Sequence, residues 1–213
     1  RFHQDTHNEI CAMTTDKENH IWLATFHKGI MRSTEAFDPQ HRLSFELVPN
    51  EAGNTVLSAI TDKAGDLWFG NTNSELIRYH STGKTFTVYP IRLSDNPAWN
   101  GSIWSLFVDS QERLWLGTSD GLLLFDKSSG QFTRYEVRPG IIRAITETPD
   151  KNLWLGTTFG LKKFNPAKEN LQADFEKEAD IPAREIRALF ASSDKNLYIG
   201  YTDGFGVLDV ESN

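Results

Sequence analysis

Two tryptophans and four arginines carry the most suggestive chemistry in this 213-residue chain. Trp99 and Trp104 offer flat apolar faces, while Arg138, Arg143, Arg184 and Arg187 offer guanidinium forks able to hold a carboxylate or sulfate through two parallel N–H donors. Aromatic platforms beside such forks suit a planar-faced sugar bearing an acidic group. The competing use of the same residues is structural, as salt bridges between packed sheets with the abundant Asp and Glu. Catalytic groups are harder to find. His3, His7, His20, His27, His41 and His80 are placed in turns and loops and lack His-x-x-x-His spacing, and Cys11 is the single cysteine, so no metal site is expected. Asp62 and Asp66 in "TDKAGD" resemble half of a calcium loop but lack its further acidic ligands, and a β-turn is expected there. No G-x-S-x-G elbow, phosphate loop or dinucleotide fingerprint occurs, so neither a catalytic constellation nor a cofactor is expected. Paired carboxylates meeting across a central channel remain an open alternative.

The elements that must position these residues are read from a repeat. "LWLGTSDGLLLFD" begins at Leu114, and close variants begin at Ile21, Leu67, Leu153 and Leu197. Their aromatic anchors, Trp22, Trp68, Trp115, Trp154 and Tyr198, are separated by 46, 47, 39 and 44 residues. A period of that length with several strands per unit points to the blades of a β-propeller. In the third repeat the alternation and turn signals predict strands over 102–109, 114–118, 122–126 and 131–136. Gly121, Gly160 and Gly204 are expected at positive φ in the hairpins that follow the anchor strands.

Alignment of the five repeats within the chain separates packing from other demands. Twelve residues before the anchors stand Ile10, Val56, Ile103, Ile142 and Ile186; ten before stand Ala12, Ser58, Ser105, Ala144 and Ala188. Between these lies a variable column of Cys11, Leu57, Trp104, Arg143 and Arg187, so packing does not dictate its identity. The loops "LSDNPAWNGS", "VRPG" and "DIPARE" are expected at the mouth of this column, which gathers the six candidate binding residues near repeats three to five. "PAREIRALFASS" is predicted to be a strand by its register with "NGSIWSLFVDS".

The reading is therefore all-β: a β-propeller of five four-stranded blade repeats over residues 1–213, treated as one domain. "RFHQ" resembles a fourth strand and the last repeat stops after its third, giving an expected 20 strands. That phase fits a closed five-blade ring, with the first strand completing the last blade, and equally an arc of a larger, seven-bladed propeller. A net charge of −7 disfavours non-specific nucleic-acid binding, and no apolar run is long enough to cross a membrane as a helix. The chain begins at Arg1 without an apolar leader, and is read as an excised or processed segment.

The pattern Asp, turn, Leu-Trp-Leu/Phe-Gly-Thr/Asn, Gly turn, Leu and an aromatic resembles the two-component regulator propeller repeat, most clearly in "LWLGTSDGLLLFDKSSGQFTRYE" and "LWLGTTFGLKKFN". Ala24 for Gly, Glu75 at a position usually Gly and Tyr198 for Trp depart from it. The resemblance implies the periplasmic sensor segment of an inner-membrane hybrid two-component receptor of Bacteroides-type bacteria. Such a segment would recognise a glycan-derived oligosaccharide or other small polar ligand, beside an adjacent propeller or within a receptor dimer. It would not itself be an enzyme, would bind no nucleic acid, and would meet the membrane only through downstream segments, with the histidine kinase elsewhere. The alternatives are a propeller-fold polysaccharide lyase or hydrolase and a protein-binding scaffold propeller.

Overall fold

The computed structural model describes residues 9–49, 53–93, 96, 98–137, 140–171, 183–193 and 195–210. Among them there are strands and turns and no helix. Each repeat forms one antiparallel sheet whose strands lie side by side in chain order. The first blade is β1 (Ile10–Thr15), β2 (Ile21–Thr25), β3 (Gly29–Ser33) and β4 (Phe45–Leu47). The second is β5 (Val56–Thr61), β6 (Leu67–Asn71), β7 (Glu75–His80) and β8 (Thr85–Pro90). The third is β9 (Ile103–Val108), β10 (Leu114–Thr118), β11 (Gly121–Asp126) and β12 (Gln131–Tyr135). The fourth is β13 (Ile142–Glu147), β14 (Leu153–Thr157), β15 (Gly160–Asn165) and β16 (Asn170–Leu171). The fifth has three strands, β17 (Ile186–Ala191), β18 (Asn196–Tyr201) and β19 (Phe205–Asp209). The strands expected in the third repeat and across "PAREIRALFASS" are present. The segment "RFHQ" lies outside the described residues, which leaves 19 strands rather than 20. The chain falls into two compact units, Arg1–Ile103 and Trp104–Asn213.

Each letter of the repeat has a physical duty. The residue six before the anchor accepts the indole N–H: Trp22 donates to Asp16 and Trp68 to Asp62 at 2.9 Å, Trp115 to Asp109 at 2.8 Å, and Trp154 to the Thr148 hydroxyl at 2.9 Å. The four indoles can therefore be 0–1% exposed without an orphaned donor. The same acidic side chains close the turn before the anchor strand. Asp109 accepts the Gln111 and Arg113 amides at 2.9 Å, and Asp16 accepts those of Glu18 and His20 at 3.0 and 2.9 Å. This turn requires a left-handed residue three before the anchor, and only Gly65 is glycine. Asn19, Glu112, Lys151 and Lys195 adopt φ of 64°, 64°, 66° and 69°, a cost that the side-chain caps and turn hydrogen bonds help offset.

Two residues past the anchor, glycine makes room for the next inner strand. A Cβ at Gly156 would lie 2.5 Å from Ile186 Cγ2, and one at Gly117 2.7 Å from Ile142 Cγ2. Where the first repeat has Ala24, the facing aliphatic is the smaller Val56, and both are fully buried in one cluster, so a methyl has moved across the interface. The following threonine ties the next hairpin: Thr25, Thr118 and Thr157 donate to the carbonyls of Gly29, Gly121 and Gly160 at 2.8–2.9 Å. Gly121 and Gly160 have the expected positive φ, but Gly204 does not, and the expectation fails there. Beside Glu75 the left-handed position is taken by Ser74, while the Glu75 carboxylate accepts from Asn71 Nδ2 at 2.7 Å.

Within each unit an anchor is covered by the blade that follows it. Trp22 packs with Phe69, Ile77 and Tyr79, its ring centroid 4.6 Å from that of Tyr79. Trp115 packs with Ile142, Leu155 and Phe164, and Trp154 with Ile186, Leu197 and Ile199. Tyr198, which no described strand follows in this way, is 39% exposed.

Candidate functional site

In four of the five blades the variable column is a β-bulge. In the fourth blade Ile142 pairs with Thr157 and Ala144 with Gly156, which leaves Arg143 as the extra residue with no partner across the ladder. Cys11, Leu57 and Arg187 occupy the same slipped position in their own blades. A bulge frees its side chain from the alternation of the pleat and re-aims it, and this explains why residue type varies there while both neighbours stay apolar or small. Neither Cys11 nor Leu57 adds chemistry. Partial burial of the Cys11 thiol, and then the nearby Glu9, push its pKa up and away from a reactive thiolate, and Leu57 is buried.

Within Trp104–Asn213 the column becomes polar and its members meet. The Arg143 guanidinium lies 4.1 Å from the centre of the Trp104 ring, closer than any cation rests on the anchor indoles. Its Nε is 3.2 Å from Glu185 Oε1, and Arg187 Nε is 3.1 Å from the same oxygen. One carboxylate thus bridges guanidiniums on the inner strands of two successive blades. The Arg143 and Glu185 side chains are about one-quarter exposed, whereas that of Arg187 is 52% exposed. Arg143 Nε lacks hydrogen-bond alignment, and the Trp104 indole N–H is buried without an acceptor among the described residues. These are unspent donors beside a net excess of one positive charge.

The sequence-predicted residues divide accordingly. Trp104, Arg143 and Arg187 are gathered around Glu185. Trp104 does not present that face for stacking, because Arg143 already covers it. Trp99 is only 8% exposed and sits in the other compact unit, so the expected sugar platform is instead a packed side chain. Arg184 makes a separate exposed contact with Asp203 at 3.4 Å. Arg138 lies outside the described residues. Glu185 is the member that sequence reasoning missed. Its signal was the spacing Arg-Glu-Ile-Arg at 184–187, in which an acid precedes the branched residue of the inner strand.

The described histidines, His20, His27, His41 and His80, supply no comparable centre. His80 ends β7 rather than occupying a loop, and its Nε2 is 2.8 Å from the Thr87 hydroxyl. Asp16, Glu18 and His20 come within 4.8 Å of one another. Arg32 is inserted among them, with a terminal nitrogen 2.9 Å from His20 Nδ1, and Asp16 already serves the Trp22 indole, so a cation fills the place a metal would need. Asp62 and Asp66 are likewise engaged by Trp68, Arg78 and Ser81 as turn and ion-pair acceptors. His3 and His7 lie outside the described residues.

The two component regulator propeller model matches residues 98–120 and 137–159, covering the inner and anchor strands of the third and fourth blades. The chain is 34% identical over 84 residues to histidine kinase P4 of Formosa agariphila, a stretch that covers 35% of this chain and 6% of that protein. Among solved structures it is similar to the extracellular domain of the hybrid two component system BT4673 of B. thetaiotaomicron, with a TM-score of 0.73 at 21% identity. That match spans 93% of this chain and 27% of the other. The virginiamycin B lyase of Staphylococcus aureus gives a TM-score of 0.69 at 13% identity, over 96% of this chain and 71% of the lyase. At these identities the structural likenesses show a propeller fold. This chain spans only a small part of the sensor proteins it matches.

Proposed function

We propose that this chain is an extracytoplasmic, periplasmic ligand-sensing segment of a hybrid two-component receptor, and that it binds a glycan-derived acidic oligosaccharide through Arg143 and Arg187. The sensor assignment is supported by the regulator propeller repeats and the histidine kinase relative. The carrying observation for the ligand is the bulge column, where the fold frees its side chains from the alternation of the pleat and two successive blades supply arginine. Two guanidiniums bridged by one carboxylate form a charged binding surface rather than an acid–base pair, so binding without turnover is the better reading. Arg184 and Arg138, on the segments leading into these strands, would extend the surface for a longer ligand. An adjacent propeller or a second receptor copy would complete the sensor, and the membrane would be reached through other segments.

The test is calorimetric titration of the chain with uronate-bearing, sulfated and neutral oligosaccharides. The acidic ligands should bind with an affinity that falls as salt rises, while neutral ones do not. Binding confined to neutral ligands, or cleavage of any member of the panel, would overturn the proposal.

A further inference from the structure

Glu185 has a geometry that side-chain stabilisation alone does not account for. Its carboxylate is the only acid contacting Arg143 and Arg187 among the described residues, and one oxygen serves both at 3.2 and 3.1 Å through their Nε atoms. A carboxylate placed for strength would face a guanidinium edge with both oxygens. Here the terminal nitrogens of both arginines make no hydrogen bond among the described residues, and the Arg143 Nε contact is misaligned. The two arginines also differ. Arg143 is fixed by its 4.1 Å stack on Trp104, whereas Arg187 is half-exposed and has no second ion pair or ring contact among the described residues. Ile186, next in the chain, is fully buried against Gly156, while the Glu185 side chain is about one-quarter exposed and has room to swing toward solvent.

We infer that Glu185 is a resident counter-ion occupying the place of a ligand anion: an incoming carboxylate or sulfate exchanges with it, bridging Arg143 and Arg187 through their unused terminal nitrogens. This rests on the reading of the arginines as the binding surface, and adds that the site is occluded by its own acid until ligand arrives. Two cations and one anion leave the pair short of neutrality, and a monoanionic ligand restores the same balance when Glu185 rotates to solvent. Selectivity follows, because a neutral sugar has no charge with which to displace the carboxylate.

The experiment compares wild type with Glu185→Gln, which keeps the shape and removes the charge, using inorganic sulfate, trigalacturonate and maltotriose as probes. Sulfate and trigalacturonate should bind Glu185→Gln about tenfold more tightly, with maltotriose unchanged, since the competing anion is gone. Equal or weaker sulfate binding by Glu185→Gln would overturn the inference and mark Glu185 as a clamp between blades. If trigalacturonate fails to bind either protein while sulfate gains tenfold, the counter-ion stands and the acidic-glycan reading falls. If trigalacturonate binds both equally, the glycan reading stands and the counter-ion falls. Should Glu185→Gln not fold, the arginine Nε–H resonances of wild type decide. Sulfate should shift those of Arg143 and Arg187 together, and unmoved resonances at saturating sulfate would overturn the inference.

Discussion

The anchor column and the variable column occupy the first two strands of every blade, yet they behave in opposite ways. Four anchors are tryptophan, each 0–1% exposed and each with its indole N–H bound six residues upstream. The variable column changes residue in nearly every blade, and in the third its indole N–H is buried with no acceptor among the described residues. At the anchors the indole donors are satisfied and cations rest 5.0–5.6 Å from the ring; in the variable column Arg143 presses to 4.1 Å of an indole whose donor has no acceptor among the described residues. A repeat protein can thus vary one column for recognition because the adjacent column already supplies the stability.

The contrast breaks most visibly at the anchors. Trp154→Ala should cost about 3–5 kcal/mol in denaturant unfolding, because it empties a fully enclosed site between two blades. Tyr198→Ala, at 39% exposure, should cost less than half as much. Equal losses would mean that burial by the following blade is not what stabilises the anchor.

A smaller effect is expected at the glycine two residues past the anchor. Gly117→Ala should cost about 1–3 kcal/mol, since the new methyl meets Ile142 Cγ2 at 2.7 Å and the Ser105 hydroxyl. The double change Ala24→Gly with Val56→Ile should cost less than the sum of its single changes, restoring the pairing used in later blades. Simple additivity in that cycle would refute the compensation.

Asp109→Ala should cost about 1–3 kcal/mol, because it orphans the buried Trp115 indole and two turn amides. The same carboxylates give a pH dependence. Burial opposes ionisation of Asp16 and Asp109, but donation from the anchor indoles, backbone amides and neighbouring cations outweighs it, so both pKa values fall below 3.8. A group depressed in the folded state contributes its stability above its unfolded pKa and loses it as protons bind the folded carboxylate. Thermal melts should therefore be insensitive to these groups down to about pH 4 and drop below that. The acid-induced loss should shrink in Asp109→Ala.

Much of this was legible in the sequence because turns and anchors are local signals. Asp, Gly and Asn clusters placed the strands of the third blade to within two residues of where they form. The indole acceptor was also in plain view as an Asp six before three of the tryptophans. The bulge was not: its extra residue is Cys, Leu or Arg rather than glycine, so it leaves no compositional mark and reads as one more strand residue. Glu185 was hidden for a different reason, since its partners are 42 positions upstream and two downstream, and only the packing of successive blades brings them together. Trp99 misled because an aromatic in a polar loop resembles a platform until burial is known. Gly204 misled because its hairpin joins strands without needing a left-handed residue there.

The smallest effect on stability should accompany the largest effect on binding. Arg143→Ala and Arg187→Ala together should lower unfolding stability by about 1 kcal/mol or less, as expected of partly exposed ion pairs. Each single change should weaken an acidic ligand by about 1–3 kcal/mol. The decisive measurement is therefore a paired one on the double variant, trigalacturonate titration and thermal melting on the same sample. Abolished binding with a melting temperature within a few degrees of wild type is the predicted result. Unchanged affinity, or loss of the folded state, would contradict the division of labour between the two columns.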